Sequence, residues 1–154
     1  MNRMRKRGFT LVEMMVVIFV IGIIITIVVG VAGVVASRAN DERSKATMGI
    51  VMSAITAYHD AHGDVWPGDA GANEIARCTN LLGQLTSDPN SAAANRLLPL
   101  DKASYGGPAG SPYILDGYGK SLDYSATKGA GGGPLLVSAG RDNNYGTGIR
   151  SDGK

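Results

Sequence analysis

The chain has 154 residues, enough for one small domain and one further long element, and its apolar residues, 44% of the total, are unevenly spread, with much of the Val, Ile and Met before Ala36. Its 15 basic and 13 acidic side chains leave a formal net charge of +2, too near neutral to argue for nucleic-acid binding. A single cysteine, Cys78, excludes an internal disulfide, and with only 2 histidines it excludes a Cys/His metal cluster.

Residues 1–8 read MNRMRKRG, with Arg3, Arg5, Lys6 and Arg7 as a basic cluster. Phe9 to Ala36 is then almost wholly apolar, and its one ionisable side chain is Glu13. As a helix that stretch measures roughly 42 Å, against about 30 Å for the hydrocarbon core of a bilayer. It is long enough to span, and the basic cluster before it places the N-terminus in the cytoplasm. A cleavable secretory signal has an apolar region of about 7–15 residues and a small-residue site at its far end. This run is longer and ends in no convincing site of that kind. A plain anchor leaves Glu13 unexplained. A carboxylate in a membrane helix costs about 2–3 kcal/mol or more, so such groups have partners. Within this segment there is none.

The string Arg5-Lys6-Arg7-Gly8-Phe9-Thr10-Leu11-Val12-Glu13 resembles the class III signal of type IV pilins and type II secretion pseudopilins. The resemblance covers the first 35 residues or so. It implies that a prepilin peptidase, guided by Arg5, Lys6, Arg7 and Gly8, cuts between Gly8 and Phe9 on the cytoplasmic side. The same enzyme then methylates the new amine, making Phe9 an N-methylphenylalanine. Glu13 becomes the fifth mature residue, the family's acidic position. In a staggered bundle its carboxylate can meet the Phe9 amine of a neighbouring copy, so that two costly charges compensate each other. The alternative leaves Glu13 to snorkel or to serve peptidase recognition alone.

Gly22, Gly30 and Gly33 interrupt the apolar run. Glycine weakens a helix in water and permits close helix approach in a membrane. The resemblance implies local melting of this region on assembly. After Ser37 the chain turns amphipathic, and Ala46, Ile50, Ala54, Ile55, Tyr58 and Ala61 recur at helical spacing. One continuous helix is predicted from about Phe9 to His62, stopped by Gly63 and Pro67. His59 and His62 form either a metal pair or, at a helix C-terminus, a solvated cationic end. Trp66 is predicted to pack under the loop that follows.

Residues 64–112 show weak periodicity. Asn73 to Leu85 reads as a short helix with Ile75, Thr79 and Leu82 on one face. Ser87 to Ala94 is a helix start or a loop, and Tyr105 to Pro112 a loop. Tyr113 to Leu115 leads into an Asp116-Gly117 turn, and Leu122 and Tyr124 alternate as in a strand. Gly129 to Gly133 reads as a flexible tract and Pro134 to Gly140 as a short buried strand, closed by a turn at residues 141–146. The fold class is therefore α+β, a long N-terminal helix on a small antiparallel sheet. The divisions are a leader at 1–8, a transmembrane and assembly helix at 9–36 and a soluble domain at 37–154. The last comprises an amphipathic helix at about 37–62, a loop region at about 63–112 and a sheet at about 113–154.

Asp116-Gly117-Tyr118-Gly119-Lys120, a strand, then Val137-Ser138-Ala139-Gly140-Arg141-Asp142 resembles the C-terminal half of the type II secretion major pseudopilins. That subfamily carries a calcium loop after its last strand, which makes Asp142, Asn144 and Asp152 candidate ligands, with Asn143 and Thr147 beside them. The donor set departs from the pattern, with two carboxylates, two arginines among them and no acidic tail. The alternative is a polar turn held by Asx-type hydrogen bonds. No nucleophile elbow, P-loop or zinc motif occurs, so no enzyme activity is expected. No cofactor is required, and calcium is the one candidate.

These readings converge on a structural subunit of a type II secretion pseudopilus. The partners expected are further copies of the chain, other pseudopilins, prepilin peptidase, an inner-membrane assembly platform and the lipid bilayer, with the C-terminal domain in the periplasm. The runner-up is a type IV pilin or minor pilin for adhesion, motility or DNA uptake. Adhesive pilins often carry a C-terminal disulfide loop, which one cysteine cannot form. The alternative of another class is a membrane-anchored periplasmic protein that never polymerises.

Overall fold

The computed structural model describes residues 9–87, 89 and 91–153. The chain divides into two units, Met1–Ala36 and Ser37–Lys154. Helix α1, Leu11–Ala61, runs through both and realises the expected helix to within two residues at each end.

In the first unit every residue from Phe9 to Ala36 is exposed. Val, Ile, Met and Phe surround the helix on all sides, so it has no polar face to present to water. A helix apolar all round belongs in a membrane or in the core of a larger body. Its one internal polar group, the Thr26 hydroxyl, donates to the Gly22 carbonyl at 2.9 Å and so needs no outside partner. Gly22, Gly30 and Gly33 have nothing within 4 Å of where a Cβ would stand.

In the second unit α1 buries Ser44, Thr47, Met48, Val51, Ala54 and Ile55. The expected stripe is thus half right. Ala46 and Ala61 are exposed, and Ile50 and Tyr58 are only partly buried. Apolar periodicity missed the phase because two small polar residues, Ser44 and Thr47, take inward places. The helix stops where Gly63 and Asp64 enter the left-handed region, φ 68° and 64°, with the Asp64 amide donating to the His59 carbonyl at 3.1 Å. Trp66 folds back and stacks on His59 at a centroid distance of 3.8 Å. His62 stacks on Tyr58 instead, so the two histidines have separate neighbours.

Helix α2, Glu74–Thr86, begins at an Asn73 cap whose side chain accepts from the Ala76 amide at 2.8 Å. It buries Cys78, Leu81, Leu82 and Leu85, whereas Ile75, expected on the inner face, is 42% exposed. Helix α3, Ala92–Arg96, is capped by Ser91 and settles the open reading of that stretch. Strand β1, Tyr105–Gly106, pairs antiparallel with β2, Tyr113–Ile114, so the predicted loop after Tyr105 starts as a strand. Strands β3 (Asp123–Ser125), β4 (Leu135–Ser138) and β5 (Ile149–Arg150) form an antiparallel sheet in the order β3-β4-β5. Among the described residues the β structure forms two small antiparallel sheets, and β5 adds a strand to those expected. Gly129–Gly133 is closed by a Gly129 amide to Gly133 carbonyl bond of 2.9 Å, in place of a free tract.

The core gathers Val51 and Ile55 of α1, Leu81 and Leu85 of α2, and Ile114, Leu122, Tyr124 and Leu136, all essentially inaccessible. Burial of such side chains stabilises by about 1.5–3 kcal/mol each. The Tyr124 hydroxyl donates to the Pro67 carbonyl at 2.9 Å, and burial pushes its phenol pKa up. Among the described residues no buried side-chain nitrogen or oxygen lacks a partner.

Candidate processing and assembly site

Thr10 stands just before the first turn of α1, and Glu13 is the third residue inside it. The Glu13 carboxylate, through Oε2, accepts the Thr10 amide at 2.8 Å and the Thr10 hydroxyl at 2.9 Å. The Thr10 Oγ1 in turn accepts the Glu13 amide at 3.2 Å. This reciprocal pairing is a capping box, which satisfies two amides that a helix start otherwise leaves bare. The negative charge also sits at the positive end of the helix dipole. The expectation that Glu13 finds no partner in its own segment is therefore corrected, since Thr10 is one. The Thr-x-x-Glu spacing is the sequence signal of this cap, and its partner is a neutral hydroxyl and amide, not an ion.

A second constellation lies at residues 116–120. Asp116 is 5% exposed. Its Oδ1 accepts the amides of Tyr118 and Lys120, both at 2.8 Å, and its Oδ2 accepts the Ser138 hydroxyl of β4 at 2.6 Å. The loop so folded meets α1. The Gly117 amide donates to Ser44 Oγ at 2.9 Å, and Ser44 donates to the Asn40 carbonyl at 2.9 Å. A Cβ on Gly117 would stand 2.0 Å from that carbonyl oxygen, so only glycine lets the two backbones approach this closely. The Tyr118 hydroxyl donates to Asp41 Oδ1 at 2.6 Å and to the Ser37 carbonyl at 3.1 Å. The Asp41 bond raises the Tyr118 pKa, because deprotonation would set two anions face to face.

Residues 3–29 match the family model described as the prokaryotic N-terminal methylation motif. The chain carries the prepilin signal of type IV pilins and pseudopilins. No curated protein and no solved structure matches the chain significantly. The motif implies processing by prepilin peptidase and pilin-type polymerisation. With a helix long and apolar enough to cross a bilayer, the prepilin signal suggests membrane anchoring.

The predicted leader residues Arg5, Lys6, Arg7 and Gly8 lie outside the described residues. Phe9, the residue after the predicted cut, is 81% exposed, and Glu13 lies one helical turn further on. The calcium candidates are engaged elsewhere. Asp142 accepts the Thr147 hydroxyl at 2.6 Å and the Asn144 amide at 3.3 Å, and the Thr147 bond holds its carboxyl pKa below the ordinary value. Asn144 Oδ1 accepts the Gly146 amide at 2.8 Å. Asp152 meets Arg150 through both carboxylate oxygens, at 3.0 and 2.8 Å. Calcium takes six to eight oxygens, and in this structure these oxygens bond within a turn and to a guanidinium. Asp116 and Tyr118 were read only as a turn, because the bonds that tie this loop to α1, Gly117 to Ser44 and Tyr118 to Asp41, span more than 70 residues.

Proposed function

We propose that the chain is a structural subunit of a type II secretion pseudopilus, cut between Gly8 and Phe9 and polymerised through its N-terminal helix to drive protein export. One observation carries the reading: an intact methylation motif opens onto an apolar helix whose single carboxylate, Glu13, sits at its first turn. In a bundle, the Phe9 amine of one copy compensates the Glu13 carboxylate of the next. The capping box makes that carboxylate tolerable before assembly, since hydrogen bonds stabilise its charged form. The work is mechanical, with no enzymatic step. The C-terminal domain faces the periplasm. Other pseudopilins and an inner-membrane platform complete the assembly.

Two features favour a pseudopilus over a surface pilin. Cys78 is buried against Ile114 and has no second cysteine to bridge. The Asp116–Lys120 loop, which resembles major pseudopilins in sequence, anchors the domain to α1. Mass spectrometry of the mature N-terminus tests the processing. The expected species begins at N-methylated Phe9, and an intact Met1 end refutes the reading. Deleting the gene separates the finer alternatives. Lost protein export with surface pili retained supports the pseudopilus, and the reverse result installs the pilin.

A further inference from the structure

Between Arg43 and Met52 the buried stripe of α1 runs between two exposed flanks. At 3.6 residues per turn, Lys45, Gly49 and Met52 fall on one flank and Arg43, Ala46 and Ile50 on the other. Each flank opens a groove. The first, about 200 Å³, is lined by Lys45, Met48, Gly49, Met52, Arg150 and Ser151. Small-molecule sites measure about 300–1,000 Å³, so this groove suits a protein side chain better. Nothing stands within 4 Å of a Cβ position on Gly49, which leaves room for close approach. Half-buried Met52 supplies adaptable thioether surface, while Met48 is buried at the groove floor.

The second flank carries the converse shape. Its groove is bounded by Pro99, Leu100 and Asp101, and Leu98 projects beside them. Leu98 is 77% exposed, while its neighbour Leu97 is 4% exposed. Among the described residues after Ser37, the other exposed large apolar side chains are Val65 and Ile75, at 58% and 42%. Asp101 accepts the Ser104 hydroxyl at 2.8 Å and meets Arg43 at 3.8 Å in an open pair. Lys45, on the first flank, pairs with Glu42 in solvent, an interaction weak enough to exchange. An apolar knob followed by an acid thus lies on one side, and on the other a groove floored by Gly49 and Met52 with Lys45 and Arg150 at its edge.

Two different complementary patches on one molecule make a head-to-tail contact, which repeats without closing when the rotation does not return on itself. We propose that the Leu98–Pro99 corner of one copy docks in the Met48–Gly49–Met52 groove of the next, with Asp101 facing Lys45. The contact rests on the filament reading and adds a domain interface to the helix pairing.

Full-length chains carrying Leu98→Cys with Met52→Cys, expressed with the cognate assembly machinery and treated with a thiol crosslinker, test this directly. Cys78 stays silent, since it is buried and its thiol is pushed up to about 11. The double variant should give a covalent ladder and either single variant none. Leu98→Cys with Gly49→Cys is a second pair, free of any effect of losing Met52. Filaments without a ladder from either pair overturn the docking and leave the filament reading intact. Absence of wild-type filaments overturns both. Leu98→Asp, at an exposed site, should keep the wild-type Tm and the N-methylated Phe9 while filament yield falls about tenfold or more, as loss of one buried Leu contact predicts. An undiminished yield refutes the contact.

Discussion

Residues 11–36 and residues 37–153 solve opposite problems. The first region exposes every apolar side chain it has and holds its one carboxylate at the helix start. The second hides its large apolar side chains, Val65, Ile75 and Leu98 excepted, and gives partners to the polar ones it buries. Ser44 and Asp116 are as deeply enclosed as many leucines, and each is satisfied from within the domain. The difference teaches where each region gets its stability. The domain supplies its own partners, whereas the apolar helix draws on whatever surrounds it.

Substitutions in either region test that contrast. Glu13→Leu should give the largest effect, loss of filaments with insertion and cleavage intact, read by electron microscopy and by the mature N-terminus. Normal filament yield would show that the first region needs no external charge partner. Within the domain, Asp116→Ala should cost about 3 kcal/mol or more, because the Ser138 hydroxyl and the amides of Tyr118 and Lys120 lose their shared acceptor. Urea titration of detergent-held protein measures it, and a cost below about 1 kcal/mol would deny the loop its role. Gly117→Ala should cost roughly 1–3 kcal/mol by the same assay, because the new methyl meets the Asn40 carbonyl. Tyr118→Phe should lower Tm by about 2–4 °C, leaving the core untouched.

The smallest effect concerns acid. The Ala126 amide bond to Asp69 lowers its carboxyl pKa, with Ser125 helping and partial burial opposing. A depressed folded pKa adds stability that is complete above the ordinary carboxyl range and is lost as pH falls through the folded value. Asp69→Asn should therefore flatten the fall in Tm between about pH 5 and pH 3 relative to wild type. An unchanged slope would remove Asp69 from the acid response.

Legibility followed range. Helix α1 could be read from end to end because its signals are local: an apolar run, then Gly63 and Pro67. The Asn73 start of α2 was local too, but its buried face was not. Cys78 bonds to Ile114, and that strand selects the face away from Ile75. Strand β5 escaped because Ile149 and Arg150 sit among Gly and Thr with no alternation to read. The Thr10–Glu13 box was readable and overlooked. The Asp116 loop was visible as a turn, while its bonds to α1 and β4 arise only on folding.

Gly117 carries a consequence for how this protein can vary. Its amide needs the Ser44 hydroxyl, its missing side chain needs the Asn40 carbonyl to stay where it is, and its neighbour Asp116 needs Ser138. Drift at any of these sites strands a donor or an acceptor at the others. A library randomised at positions 44, 116, 117 and 138 together, then sorted for folded protein, should return few combinations, with the four choices inherited as a set.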